Sequence, residues 1–412
     1  MDFSSLGLSE PLLHAVAERK YSNPTPIQTS AIPAILSGRD VWASAQTGSG
    51  KTAAFALPLL QLLGASPRPR GRFVRVLILV PTRELAAQIG VAIGRYGAHL
   101  PYSLKTLTVF GGVSINPQMM ALGRGADILV ATPGRLLDLL AHNAVSLSVV
   151  SILVLDEADR LLEQGFSDEL GRILVLLPAR RQSLLFSATF PPAVRTLATA
   201  LLRDPVRLDA SSAPPTKPDI IQRVIEVDAP RRTQLLRHLI QENGWSGVLV
   251  FVATKYATEH VAEKLRQAGL VATALHGDLS QSARNRALAD FKAGNVRVLL
   301  ATDLAARGID IVRLPVVVNF DLPRSAVDYT HRIGRTGRAG ETGLAISFVS
   351  AGTHAHFRLI EKRHRLNLPR EEISGFEPVE TEVPAQPAGG IKGRRKSKKD
   401  KLREAAARAA AR

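Results

Sequence analysis

No cysteine occurs among the 412 residues. That excludes disulfides and thiolate metal sites, and it fits a reducing compartment such as the cytoplasm. Aromatic residues make up only 5% of the chain, too few for a surface built to stack nucleic-acid bases. No apolar run reaches the roughly 20 residues of a membrane-spanning helix. The first residues, Met1-Asp2-Phe3-Ser4, lack a basic stretch followed by an apolar core, so no secretory signal is read there. Acids are also in short supply: 36 against 53 Lys and Arg, for a net charge of +17. What is abundant is hydrophobic residue, at 45%, which allows sizeable cores in two or three domains.

The excess charge is unevenly placed. Residues 391–412 hold ten Lys or Arg and two acids, nearly half the net charge. The rest of the chain stays basic, which suits a polyanionic partner. The tail reads as a flexible basic arm that also contacts nucleic acid. Its last stretch, Leu402–Arg412, has high helix propensity but no apolar face to pack.

Short β-branched runs alternate with longer helical patterns in both halves. The first half has Val74–Val80, Ile128–Ala131, Ile152–Leu155 and Leu184–Ser187; the second has Val248–Val252, Val296–Ala301, Val316–Phe320 and Leu344–Phe348. This alternation predicts an α/β fold of βαβ units with a mostly parallel sheet, twice over. Three prolines between Asp209 and Pro218 mark a linker. The expected units are therefore 1–208, a linker 209–218, a second domain 219–374 and a basic tail 375–412.

Three motifs carry chemistry. Ala45-Gln46-Thr47-Gly48-Ser49-Gly50-Lys51-Thr52 follows a plausible strand, Asp40–Ser44, and opens a helical run, Thr52–Leu63. Gly48 and Gly50 let backbone N–H groups converge on phosphate oxygens, helped by the helix dipole. Lys51 is placed to reach the β- and γ-phosphates and Thr52 a magnesium ion. Ala45 stands where such loops usually carry their first glycine. The second motif, Asp156-Glu157, ends an apolar strand, at the sheet edge where open α/β folds bind ligands. Asp156 is expected to hold magnesium, and Glu157 to orient or deprotonate an attacking water. Third, His331-Arg332-Ile333-Gly334-Arg335-Thr336-Gly337-Arg338 repeats arginine at every third position. So dense a guanidinium row reads as a clamp on phosphate charge, delivered from the second domain.

With these motifs in order from about Phe3 to about Pro378, the chain resembles the DEAD-box RNA helicases of superfamily 2, most of all the bacterial RhlE-type group. The resemblance implies two tandem RecA-like domains, with ATP and Mg2+ as nucleotide and metal. It implies that Tyr21 stacks on the adenine and Gln28 hydrogen-bonds its edge, within Tyr21-Ser22-Asn23-Pro24-Thr25-Pro26-Ile27-Gln28. In the family the residue before that aromatic is often glycine; here it is Lys20. Phe3 resembles the family's upstream aromatic, with a core anchor as the alternative. The RNA-contacting residues implied are Pro81, Thr82, Arg83, Gly112, Thr132, Pro133, Gly134 and Arg135 in the first domain. Those in the second are Thr254, His276, Gly277, Gln281, Arg284, Thr302 and Asp303. Ser187 and Thr189 would couple the two sites, with Arg307 and Gly308 at the cleft and Asp310 on the nucleotide. Arg335 and Arg338 match the arginine fingers, and His331 would brace the domains.

These groups are hydroxyls, glycines and arginines, which read phosphates and 2′-hydroxyls rather than bases. Trp42 and Trp245 read as packing residues. The expected activity is ATP-dependent, sequence-independent binding of single-stranded RNA and short duplexes. Domain closure would couple ATP hydrolysis to strand separation or to remodelling of RNA–protein complexes. An ATP-gated RNA clamp and a DNA helicase are the alternatives. A monomer without membrane association is expected, with ribosome-assembly or RNA-decay proteins as family-level partners.

Overall fold

The computed structural model describes residues 2–45, 48–64, 71–209, 220–306, 314–337 and 342–380. Two seven-stranded sheets dominate it. The strands of the first are β1 (Val41–Ser44), β2 (Val74–Leu79), β3 (Thr106–Val109), β4 (Ala126–Ala131), β5 (Ile152–Leu155), β6 (Gln182–Ser187) and β7 (Val206–Asp209). Those of the second are β8 (Ile220–Glu226), β9 (Val248–Phe251), β10 (Ala272–Leu275), β11 (Val298–Ala301), β12 (Val316–Asn319), β13 (Gly343–Val349) and β14 (Arg370–Glu371). The orders are β3-β4-β2-β5-β6-β1-β7 and β10-β11-β9-β12-β13-β8-β14. All pairings between these strands are parallel. The second order repeats the first position by position, so two RecA-like domains stand in tandem.

Parallel strands covered on both faces must be apolar on both. Every residue of β2, β4 and β5 is buried. Alternation then divides them: Val76, Ile78 and Val154 join Val41 and Phe186 in one core, while Leu77, Leu79 and Leu153 join Leu185 in the other. Phe3 is buried in the first of these cores and serves as an anchor. Trp42 packs against Phe190, and Trp245 against the second domain's core.

Two boundaries differ from expectation. Asp209, assigned to the linker, pairs with Ser44 as the last residue of β7. At the other end, residues 375–380 belong to the second domain rather than to the tail. Phe376 packs on its core beneath the Arg231 guanidinium, and the Asp228 carboxylate accepts the Val379 and Glu380 amides at 2.9 and 3.1 Å. A shift to Pro and Glu in composition concealed one aromatic anchor. The rest of the tail, 381–412, lies outside the described residues. No described helix is long and apolar enough to cross a membrane.

Candidate active site and nucleic-acid interface

The expected site residues of the first domain cluster at the carboxyl edge of its sheet, where the helix N-termini also point. β1 leads into the phosphate loop, and its end is tied to β6 by the Ala45 amide on the Ser187 carbonyl at 3.0 Å. Gly48 and Gly50 have φ of 82° and 91°, conformations that a side chain strains. A Cβ on Gly50 would collide with the Gln28 amide. Gln46 and Thr47 lie outside the described residues. Lys51 opens the helix Lys51–Gly64 with its ammonium buried, and among the described residues that ammonium has no hydrogen-bond acceptor. Its nearest charge is the Asp156 carboxylate at 3.7 Å. A buried ammonium so placed is costly unless an anion joins it.

Asp156 and Glu157 follow β5. Burial pushes both carboxyls above the ordinary carboxylate range, and Lys51 opposes the shift. Glu157 adopts φ 51°, ψ 51°, left-handed backbone unusual for its residue type, and makes no side-chain cap to the helix Ala158–Glu163. Its side chain is thus not spent on capping. Asp159 is spent locally: its carboxylate accepts the Thr189 amide at 2.9 Å and hydroxyl at 2.7 Å, while its own amide donates to Ser187 Oγ at 3.1 Å. Ser187 and Thr189 are therefore wired to the acidic turn. Among the described residues no group of three or more metal-ligating side chains forms. Thr52 and Asp156 alone would suit magnesium, which keeps most of its waters and leans on substrate phosphates.

Gln28 is 4% exposed, and its amide is partly engaged already. Its oxygen accepts the Thr25 amide at 2.9 Å and its nitrogen donates to the Gly50 carbonyl at 3.2 Å. One N–H and one lone pair are left for an adenine edge. Tyr21, at the start of the same motif, is 39% exposed.

The third motif, His331 to Arg338, separates into different jobs. Arg332, read as part of a phosphate clamp, is 2% exposed and turned inward. It forks onto Asp303 at 2.6 and 2.7 Å and donates to Asn319 and the Asp321 carbonyl. That corrects the clamp reading for Arg332, because its helix ends at Ile333: Arg332 turns inward from the last turn, and Arg335 lies beyond it. The Arg332 fork also spends the Asp303 carboxylate. Arg335 follows the helix Ala326–Ile333, lies near the Glu157 carboxyl, and lines a small cavity with Arg160, Asp328 and His331. Burial, then the Arg160 charge, pull His331 down to about 4, so it is neutral at pH 7. Arg307, Gly308, Asp310 and Arg338 lie outside the described residues.

The expected RNA residues also follow strand ends. Thr82 and Thr254 occupy equivalent positions, after β2 and β9, and each caps its helix by accepting an amide, from Leu85 at 3.3 Å and Ala257 at 3.1 Å. Gly112, at φ 78°, has Arg83 lying where a Cβ would stand. Thr132, Pro133 and Gly134 start the helix Pro133–Ala141, and Arg135 donates to the Val113 carbonyl at 2.8 Å. Pro81, just after β2, is buried; in the second domain Gly277 lies against Lys255, Gln281 donates to Asn285 and Thr302 is buried. His276 contacts Glu259 at 2.7 Å. Arg284 is the exception. It is 2% exposed, ion-paired across the domains with Glu84 at 2.6 Å and bonded to the His276 carbonyl. Its guanidinium is an inter-domain contact rather than open RNA surface. The pairing joins positions 200 apart in sequence, so no local pattern announced it.

Comparison with known proteins agrees with this geometry. The family description DEAD/DEAH box helicase matches residues 25–197, and helicase conserved C-terminal domain matches 231–340. The chain is 42% identical to the ATP-dependent RNA helicase DeaD of Mycobacterium tuberculosis over 94% of this chain and 68% of that protein. It is 41% identical to DeaD of Escherichia coli over 91% of this chain, and spans 59% of that protein's length. Among solved structures, Saccharomyces cerevisiae Dbp5 L327V bound to RNA and ADP BeF3 is similar with a TM-score of 0.77 at 32% identity. That match covers 90% of this chain and 95% of the Dbp5 chain. These likenesses bear on the family and not on the RhlE-type subgroup.

Proposed function

We propose a division of labour for this chain, which belongs to the DEAD/DEAH box helicase family of ATP-dependent RNA helicases: the first domain holds and hydrolyses ATP, and the second completes the site only on closure. The observation that carries this reading is the buried Lys51 ammonium, with no hydrogen-bond acceptor among the described residues, beside the buried Asp156 carboxylate, while the Arg335 charge from the other domain acts on neighbouring Glu157.

Lys51 and the amides of the loop from Ala45 to Thr52, Ser49 included, bind the phosphates. Gln28 and Tyr21 select adenine, since a guanine edge would leave the amide unpaired. Thr52 and Asp156 would hold magnesium, which would supply positive charge to the phosphates. Glu157, with its carboxyl raised by burial and its backbone strained, orients the water and takes its proton. Arg335, and by sequence Arg338, stabilise charge on the transferred phosphoryl group. Neutral His331 packs where a third cation would repel Arg160 and Arg335. Asp310 and the Arg307-Gly308 pair are assigned to the cleft by sequence alone.

RNA is read through Thr82, Arg83, Gly112, Thr132–Arg135, Thr254, His276, Gly277, Gln281 and the Thr302–Asp303 backbone, all polar groups suited to phosphate and ribose. The Asp159 bonds to Ser187 and Thr189 connect that surface with the acidic turn. Since ATP and RNA each touch both domains, each favours closure and strengthens binding of the other. Closure separates short duplexes, where stacking costs only about 1.4 kcal/mol per step. One chain supplies the whole cleft, so a monomer suffices. A cytoplasmic setting, where ATP and RNA occur together, belongs to the same reading. Ribosome-assembly or RNA-decay assemblies are the partners that fit such remodelling.

Two substitutions test the reading together. Lys51→Ala should lose nucleotide affinity and turnover, whereas Glu157→Gln should bind ATP and RNA as a long-lived complex with turnover down at least about 100-fold. Loss of nucleotide binding in Glu157→Gln would remove it as the base.

A further inference from the structure

A second ion pair crosses between the domains, apart from the one made by Glu84 and Arg284. Arg160 follows the acidic turn of the first domain, and its Nη1 lies 3.4 Å from Asp328 Oδ1 on the helix Ala326–Ile333 of the second. Both side chains are largely buried, at 7% and 16% exposure. Each is also fixed from behind. The Arg160 amide donates to Asp159 Oδ1 at 3.0 Å, and the other oxygen of that carboxylate holds Thr189. Asp328 Oδ2 accepts the Ser325 hydroxyl at 2.9 Å, and Ser325 in turn caps the Asp328 amide at 3.1 Å. A continuous chain of polar contacts thus runs from the Ser187–Thr189 turn through Asp159 and Arg160 to Asp328. The helix that receives it carries His331 and leads directly into Arg335.

We propose that Arg160 and Asp328 are positioning residues for ATP hydrolysis: their pairing on closure sets the finger helix against the acidic turn and so brings Arg335 to Glu157. Neither residue touches the nucleotide site itself. The pair reports the state of the Ser187–Thr189 turn to the other domain, because a shift of Asp159 moves Arg160. Glu163, on the same helix as Arg160, lies 3.8 Å from the same guanidinium nitrogen that meets Asp328, so Arg160 is shared between the two carboxylates. With the domains apart Glu163 still pairs with Arg160, and closure adds Asp328 as its second and more buried carboxylate partner.

This inference rests on the two-domain ATPase reading, and a double-mutant cycle separates the two. Arg160→Gln, Asp328→Asn and the double variant are compared with the wild-type chain for ATP turnover at saturating RNA. Asn at 328 preserves the contact with Ser325, so the helix start is kept. Each single change should lower kcat by about tenfold, as truncation of one partner in a desolvated charge pair does. The double variant should be no worse than the weaker single one, since the two changes break one interaction. Single effects that multiply to about a hundredfold, or singles within twofold of wild type, would overturn the proposal. A wild-type chain without RNA-stimulated turnover would instead overturn the reading beneath it. An exchanged pair, Arg160→Asp with Asp328→Arg, should recover at least part of the loss; no recovery above the single reversals would also count against it.

Discussion

Lys20 stands at φ 57°, exposed, immediately before Tyr21. Left-handed backbone costs a non-glycine residue roughly 1–2 kcal/mol. Lys20→Gly should therefore raise stability by up to about 1 kcal/mol, after the larger unfolded-state entropy of glycine is counted, read as a higher denaturation midpoint. His331 makes a second residue-scale prediction. Its pKa is about 4 in the closed form, against 6.5 for an ordinary histidine. The separated or unfolded chain then binds more protons between those values, so closed-state stability is full above about pH 6.5 and falls as pH drops toward 4. RNA-stimulated turnover should decline across that window, and His331→Gln should remove the part of the decline due to this group, measured in matched pH profiles. At this scale much of the site was legible. Lys51, Asp156 and Glu157 sit in contiguous motifs whose spacing reflects one loop or turn. Arg332 was misread because a three-residue repeat does not tell which arginine turns toward β12. Glu84 and Arg284 were missed as a pair because only the closed arrangement brings them together.

At the scale of elements, runs buried on both faces announced themselves. β5 occupies the span its apolar run marked, and β2, β9 and β12 end one residue earlier than their runs. Edge strands did not: β3 is mostly half-exposed and β14 is two residues long. Their pairing is a property of the neighbouring strand more than of their own pattern. The segment after β14 is the clearest case. Arg223 forks onto Glu371 at 2.9 and 2.6 Å, and Phe376 follows onto the core. A chain ending at Glu380 should keep its stability but bind RNA with a shallower salt dependence. The ten basic residues of 391–412 are then gone, and every phosphate they had neutralised takes about 0.7 off the slope. A chain ending at Arg370 should in addition lose about 1–3 kcal/mol, because it gives up both the Glu371 fork and Phe376. An unchanged slope in the chain ending at Glu380 would make the tail a bystander.

For the whole molecule, the consequential feature is that the two sheets repeat one topology yet carry different chemistry. The first places an ammonium and two raised carboxyls at its edge; the second places a neutral histidine and an arginine opposite them. Neither edge alone combines a phosphate cradle, a base and a cationic clamp. Turnover must then depend on what holds the domains together, and the groups lining the path between Thr82 and Thr254 suit a ribose-phosphate strand. The most direct measurement is steady-state ATP hydrolysis by the full chain without nucleic acid, with single-stranded RNA, and with DNA of the same sequence. The account predicts strong stimulation by RNA of any sequence and little by DNA, which lacks the 2′-hydroxyl. Equal turnover under all three conditions would contradict it, because closure would not be gated by RNA.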